Sequence, residues 1–272
     1  MNIKRESTII FALSLILAVL VIFVSCVGLF IPGTYSKETP NWTAQAVGQD
    51  MIDLFLIVPS LIVTAIITYK KNKIAMLLWS GAVFYLIYTF VIYCFAVHFN
   101  SLFIIYCLIL GLSFYSFMYF LFSQIKKPIV DWFDGKMPVK AVGIYLIVIA
   151  CMFYMLWLSE IVPGISANTT PKNIIDMGLP TNPVQALDLS VVLPGFLIIS
   201  ILLFRKKPLG LMLAPTMLVF CILMDITIGG LNIIMKIRGI EASYTITVVM
   251  AILALISIVL LSFYLKSIKH NA

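Results

Sequence analysis

Eight runs of about twenty apolar residues divide this chain, at 8–31, 51–69, 74–97, 102–123, 141–162, 186–204, 209–231 and 244–265, and none contains a Lys or Arg. A helix needs about 20 apolar residues to cross the hydrocarbon core of a bilayer. Lipid supplies no hydrogen-bond partners, so only helices and closed barrels satisfy their backbone there. These runs are continuous rather than alternating, which excludes a β-barrel. The expectation is an all-α integral membrane protein with eight transmembrane helices. Composition agrees: 62% of the 272 residues are hydrophobic and only 11% are charged, against about 25% charged in ordinary soluble domains. With a mean hydropathy of +1.13, a soluble enzyme, a disordered tail and a nucleic-acid-binding domain are all excluded. The first run follows Lys4 and Arg5 as a signal peptide would, but it is long and no small-x-small site follows it. It is expected to remain as a span.

The net charge of +7 then reports topology instead of nucleic acid. With the N-terminus inside, one set of loops holds Lys4, Arg5, Lys70, Lys71, Lys73, Lys126, Lys127, Lys136, Lys140, Arg205, Lys206, Lys207, Lys266 and Lys269. The other set holds Lys37, Lys172, Lys236 and Arg238. The rule that basic loops stay cytoplasmic places both termini inside and the chain in a cell membrane. Cys26, Cys94, Cys107, Cys151 and Cys221 all fall within spans, and no two form a C-x-x-C pair. They read as small buried hydrophobes.

The chain also repeats itself. Asp53-Leu54, Pro59 and Lys70-Lys71 reappear as Asp188-Leu189, Pro194 and Arg205-Lys206, each 135 residues later. Pro32-Gly33 and Thr39-Pro40 match Pro163-Gly164 and Thr170-Pro171, 131 residues on. Phe120 and Ile125-Lys126 match Phe263 and Ile268-Lys269, 143 residues on. These steps predict a four-helix repeat at 1–123, a cytoplasmic linker at 124–140 and a second four-helix repeat at 141–272. An even number of spans per unit makes the copies parallel, about an axis along the membrane normal. The linker's Trp132-Phe133 suits the membrane interface.

Candidate site residues come from the few acids. Asp53 is placed about a turn inside the second span, sharing a face with Gln49, Ser60 and Thr64. Asp188 takes the matching place in the sixth, where Asn182-Pro183 reads as a capped helix start. Glu160 and Asp225 lie at the same depth in the fifth and seventh spans. Intramembrane carboxylates are expensive and mark functional sites by default. Pro59 and Pro194, six residues beyond each repeated Asp, remove a backbone donor and are candidate hinges. Tyr85 and Tyr88 are candidates to line a polar path beside Asp53. The two histidines, His98 and His270, fall at opposite sides, so they cannot jointly ligate a haem. No span carries a Lys for a retinal Schiff base, and neither a phosphate loop nor a protease motif occurs. The residues therefore suggest no catalytic group, no metal and no cofactor.

Gln49-Asp50, Pro59, Tyr85 and Asn100-Ser101-Leu102-Phe103, followed by Gln185, Asp188-Leu189 and Pro194, resemble a group of uncharacterised prokaryotic polytopic membrane proteins. The resemblance implies an eight-span fold and no assigned activity. The leading functional expectation is a transporter or permease for a small solute, cation- or proton-coupled through Asp53, Asp188, Asp225 and Glu160, with Pro59 and Pro194 as hinges. The alternatives are a non-catalytic membrane subunit or sensor of a larger complex, and an integral membrane enzyme acting on a lipid. Expected partners are the bilayer, a small solute or cation, and a membrane protein or second copy of the chain.

Overall fold

A computed structural model describes residues 3–269. The chain is 82% helix without strands among the described residues. The helices are α1 (Ile3–Phe30), α2 (Pro40–Tyr69), α3 (Lys73–Ala96), α4 (Phe103–Gln124), α5 (Val139–Ala167), α6 (Lys172–Met177), α7 (Pro183–Phe204), α8 (Pro208–Ile237) and α9 (Tyr244–Lys266). All but the short α6 are long and apolar enough to cross a membrane. This is a multi-pass membrane architecture. His270 lies outside the described residues.

Two helices form the centre. In α3 and α8, 72% of the most apolar window is buried in the protein, against 22% in α9. The two pack directly together. Gly81 of α3 makes the approach possible, because a Cβ there would overlap Val219 of α8. Small residues at a crossing let backbones close, which supplies the packing that a lipid solvent does not drive. Beside it the hydroxyls of Ser80 and Thr216 share a hydrogen bond of 2.8 Å. Around this pair, α2 packs on both central helices, α4 on α3, and α7 and α9 on α8. The outer helices α1 and α5 lie against α2 and α7 respectively.

The hairpins α2–α3 and α7–α8 turn in the same way. Lys71 and Lys206, 135 positions apart, both take the left-handed backbone conformation. At this basic end the segment 125–138 ties the termini down. Glu6 of α1 is buried, accepts hydrogen bonds from Gln124 and Lys127, and pairs with the Lys127 ammonium at 2.8 Å. The amides of Lys269 and Asp134 donate to the carbonyls of Trp132 and Ser267. Trp132 and Phe133 are buried and Phe133 packs on Tyr264. The expectation that they face the membrane interface is therefore corrected: they plug the bundle's basic end.

The second span starts earlier than hydropathy suggests. Helix α2 begins at Pro40, capped by the Thr39 hydroxyl, which accepts from the Trp42 amide at 3.2 Å. Asp53 thus lies thirteen residues into a 30-residue helix, beyond the reach of the helix-end dipole. Asn182 does cap α7, accepting from the Val184 and Gln185 amides, and Asp188 sits five residues inside.

Both helices change winding at the acid. Asp53–Ile57 and Asp188–Val192 form π-helical segments, in which the Val58 and Leu193 amides reach back five residues to the Asp53 and Asp188 carbonyls. Each segment ends two residues before a proline. The wider turn absorbs the missing proline donor without breaking the helix. It also inserts one residue into the helical register. The face that continues Asp53 is therefore Ile57, Leu61 and Ala65, all buried. Ser60 and Thr64 rotate off it, contrary to the periodicity expected of an uninterrupted α-helix.

Candidate functional site

Asp50, Asp53 and Asp188 occupy two buried nests that both touch α3. That helix supplies a hydroxyl to each. In the first nest Asp50 accepts from Tyr35 at 2.6 Å and from Tyr93 at 2.8 Å. Tyr35 comes from the loop between α1 and α2. Burial first, and the nearby Asp50 charge second, push its phenol well above the ordinary range, so it stays a proton donor. Gly28 of α1 makes room, since a Cβ there would overlap the Asp50 carboxylate.

One turn deeper, Asp53 accepts from the Gln49 amide at 2.9 Å. The same amide donates to the Tyr85 hydroxyl at 2.7 Å. Thr227 of α8 gives its proton to the Leu223 carbonyl. Its oxygen is then the acceptor for Tyr85 at 2.8 Å, because a hydroxyl has one proton to give. Tyr85 stands 3.5 Å from Asp53. Asp53 is thus coupled through Gln49 and Tyr85 to a helix from the other half of the chain.

In the second nest Asp188 of α7 accepts from Tyr88 of α3 at 3.0 Å and from Trp157 of α5 at 2.9 Å. Tyr88 therefore serves Asp188, while Tyr85, one turn earlier, serves the Asp53 side. Phe220 of α8 packs edge-on to Tyr88. Glu160 does not point away to the headgroups. It accepts from the side-chain amides of Gln185 and Asn173, both at 2.8 Å, and so joins the start of α7 three residues before Asp188.

Asp225 stands apart. It is buried on α8 and one carboxylate oxygen has no hydrogen-bond partner. Both it and Asp188 lie within electrostatic reach of the Cys221 thiol. The structure therefore links Glu160 to the start of α7 three residues before Asp188, leaves Asp225 outside both nests, and joins Asp53 to Gln49 and Tyr85. No direct hydrogen bond joins the two nests.

Among the described residues the ion pairs are Glu6 with Lys127 and His98 with Glu38. None of Asp50, Asp53, Asp188 or Asp225 has a cationic partner. Phenol, indole and amide donors hold the first three. Among the described residues no three His, Cys, Asp or Glu side chains gather closely enough to hold a metal ion. Pro59 and Pro194 follow the two π segments, with backbone continuous through both.

Asp50, Tyr35, Tyr93, Trp157 and Thr227 are the members that sequence reasoning passed over. Asp50 was legible only with the correct start of α2: residues 40–50 are polar enough to read as loop, which hides an Asp one turn before Asp53. The chain matches no protein-family model, no curated protein and no solved structure.

Proposed function

We propose that the chain is a transporter or permease for a small solute, and that Asp53 and Asp188 exchange a proton or monovalent cation during its cycle. One observation carries this reading. Two buried carboxylates each start a π segment that runs up to a proline, and each has only neutral hydrogen-bond donors. A carboxylate in low dielectric is costly unless its charge is compensated. Neutral donors leave that compensation to a mobile ion. Helices whose winding changes beside a proline, 135 positions apart, support this reading by analogy with the paired helix irregularities of transporters, and π segments concentrate at functional sites.

We read the halves as parallel copies. The repeated offset of 135 between the π segments and between Lys71 and Lys206 supports this. The basic end, which carries 14 of the 18 Lys and Arg residues, is assigned to the cytoplasm.

The test is electrical. Purified protein is reconstituted in liposomes on a solid-supported membrane and exposed to jumps of H⁺, Na⁺ and K⁺. Wild-type protein is expected to pass a current with at least one ion. Asp53→Asn and Asp188→Asn, each eluting as a monodisperse protein, are expected to lose at least about tenfold of it, as removal of an essential group does. Wild-type currents in both variants, or no ion-driven current in the wild type, overturn the proposal.

A further inference from the structure

The sequence offers no cysteine motif, yet the fold brings two thiols together. Cys94 lies near the end of α3 and Cys107 in the second turn of α4, thirteen positions apart. Their sulfur atoms are 3.9 Å from one another. No other two cysteine sulfurs are in contact among the described residues. The juxtaposition follows from the hairpin. Helices α3 and α4 are joined by the short stretch 97–102 and pack along their length. Tyr93 and Tyr106, each one residue before a cysteine, pack with ring centroids 4.9 Å apart and planes inclined at 55°. That contact sets the register of the two helices, and the next residue on each carries a thiol on the hairpin's flank. Cys107 is exposed and Cys94 partly so, which leaves the pair open to a membrane-soluble reagent.

We propose that Cys94 and Cys107 form an oxidation site that closes to an intramolecular disulfide by exchange with a small apolar disulfide. A disulfide needs its sulfurs about 2.05 Å apart, an approach that side-chain rotation supplies when the helices already touch. The Cys107 thiolate attacks one sulfur of the reagent and expels one thiolate, giving a mixed disulfide. The Cys94 thiolate then attacks the Cys107 sulfur and expels the second reagent thiolate. The two protons lost by the cysteines end on the two reagent thiols, so the protein is oxidised by two electrons and the reagent is reduced. The bond would staple the hairpin directly beside Tyr93, the residue that donates to Asp50.

The experiment treats the purified full-length protein with 4,4′-dithiodipyridine and reads intact mass and cross-linked peptides. The expected product contains a peptide pair joining Cys94 to Cys107 that lacks two hydrogens and returns to two thiols on reduction, whatever thiopyridyl group the exposed Cys151 carries. Cys94→Ser and Cys107→Ser should instead each keep one thiopyridyl group on the remaining cysteine. Stable thiopyridyl adducts on both residues of the wild type overturn the proposal, as does a cross-link between other cysteines. Because the mapping is done on the wild type, it holds even if a variant fails to fold, and it does not depend on transport.

Discussion

The two nests around α3 hold the same kinds of group and reach them differently. In the first, one continuous helix delivers both carboxylates, Asp50 and Asp53, three residues apart. In the second, α7 delivers only Asp188, and Gln185 stands three residues before it. The second carboxylate, Glu160, arrives from α5 and is bonded to that Gln. The approach also differs. Helix α2 runs unbroken from Pro40, whereas the corresponding stretch before Asp188 is split into α6, a turn through the left-handed Gly178 and a new start at Asn182. Asp53 is 1% exposed and Asp188 8%. The first nest is closed by its own half of the chain, through Gly28, Tyr35 and Tyr93. The second depends on a tyrosine from the other half. One nest is thus sealed and the other lies at a seam.

Replacing the acids with an apolar residue should separate the nests most widely. Asp188→Leu strands two donors, the Trp157 indole and the Tyr88 hydroxyl, at about 1–3 kcal/mol each. Asp53→Leu strands chiefly Gln49, which keeps Tyr85 as an acceptor, so its cost should be about half as large. Unfolding of the detergent-solubilised protein measures both, and equal losses would break the distinction. Exchanging the nests' patterns is the next test. Gln185→Asp places a carboxylate where an amide donated to Glu160, and should cost about 2 kcal/mol from the lost bond and like-charge contact. Asp50→Gln keeps one acceptor oxygen for two tyrosines and should cost about 1 kcal/mol.

Gly28→Ala probes the seal itself. The added methyl overlaps the Asp50 carboxylate and should cost about 1–3 kcal/mol as overpacking, whereas Gly195→Ala on α7, which meets open space, should be neutral or stabilise by up to about 1 kcal/mol. Thermal midpoints of the two variants moving together would contradict the sealed reading. The smallest effect is expected at the helix starts. Thr39→Ala and Asn182→Ala each remove a cap worth about 1 kcal/mol, and their melting shifts should agree closely. A much larger loss at Thr39 would show that its hydroxyl's bond to the Asp176 carbonyl, 2.9 Å across the α2–α6 contact, holds the broken segment in place.

Much of this was legible in the residues. The eight long apolar helices and the cap at Asn182 follow from apolar runs and local helix-start chemistry. The π segments did not follow. A proline announces a disturbed helix, yet whether the chain kinks, breaks or widens depends on what packs around it. Here the widening moved Ser60 and Thr64 off the acid's face. The start of α2 was hidden because its first three turns are polar and are covered by protein at the lysine-poor end. The Cys94–Cys107 contact was hidden because thirteen residues of separation say nothing until the register of a hairpin is known.

What the sequence determined by itself was the solvent and the crossing number, because transfer of apolar residues into lipid is a sum over local composition. The tertiary structure alone decided partnership: that Tyr88 reaches Asp188 and not Asp53, that Trp132 and Phe133 plug the bundle, and that Asp225 keeps a carboxylate oxygen unbonded. The close approach of α3 and α8 at Gly81 and the extra residue in each π segment are further outcomes of that kind. Both act on direction and distance between helices, which a one-dimensional pattern of apolar and polar residues does not encode.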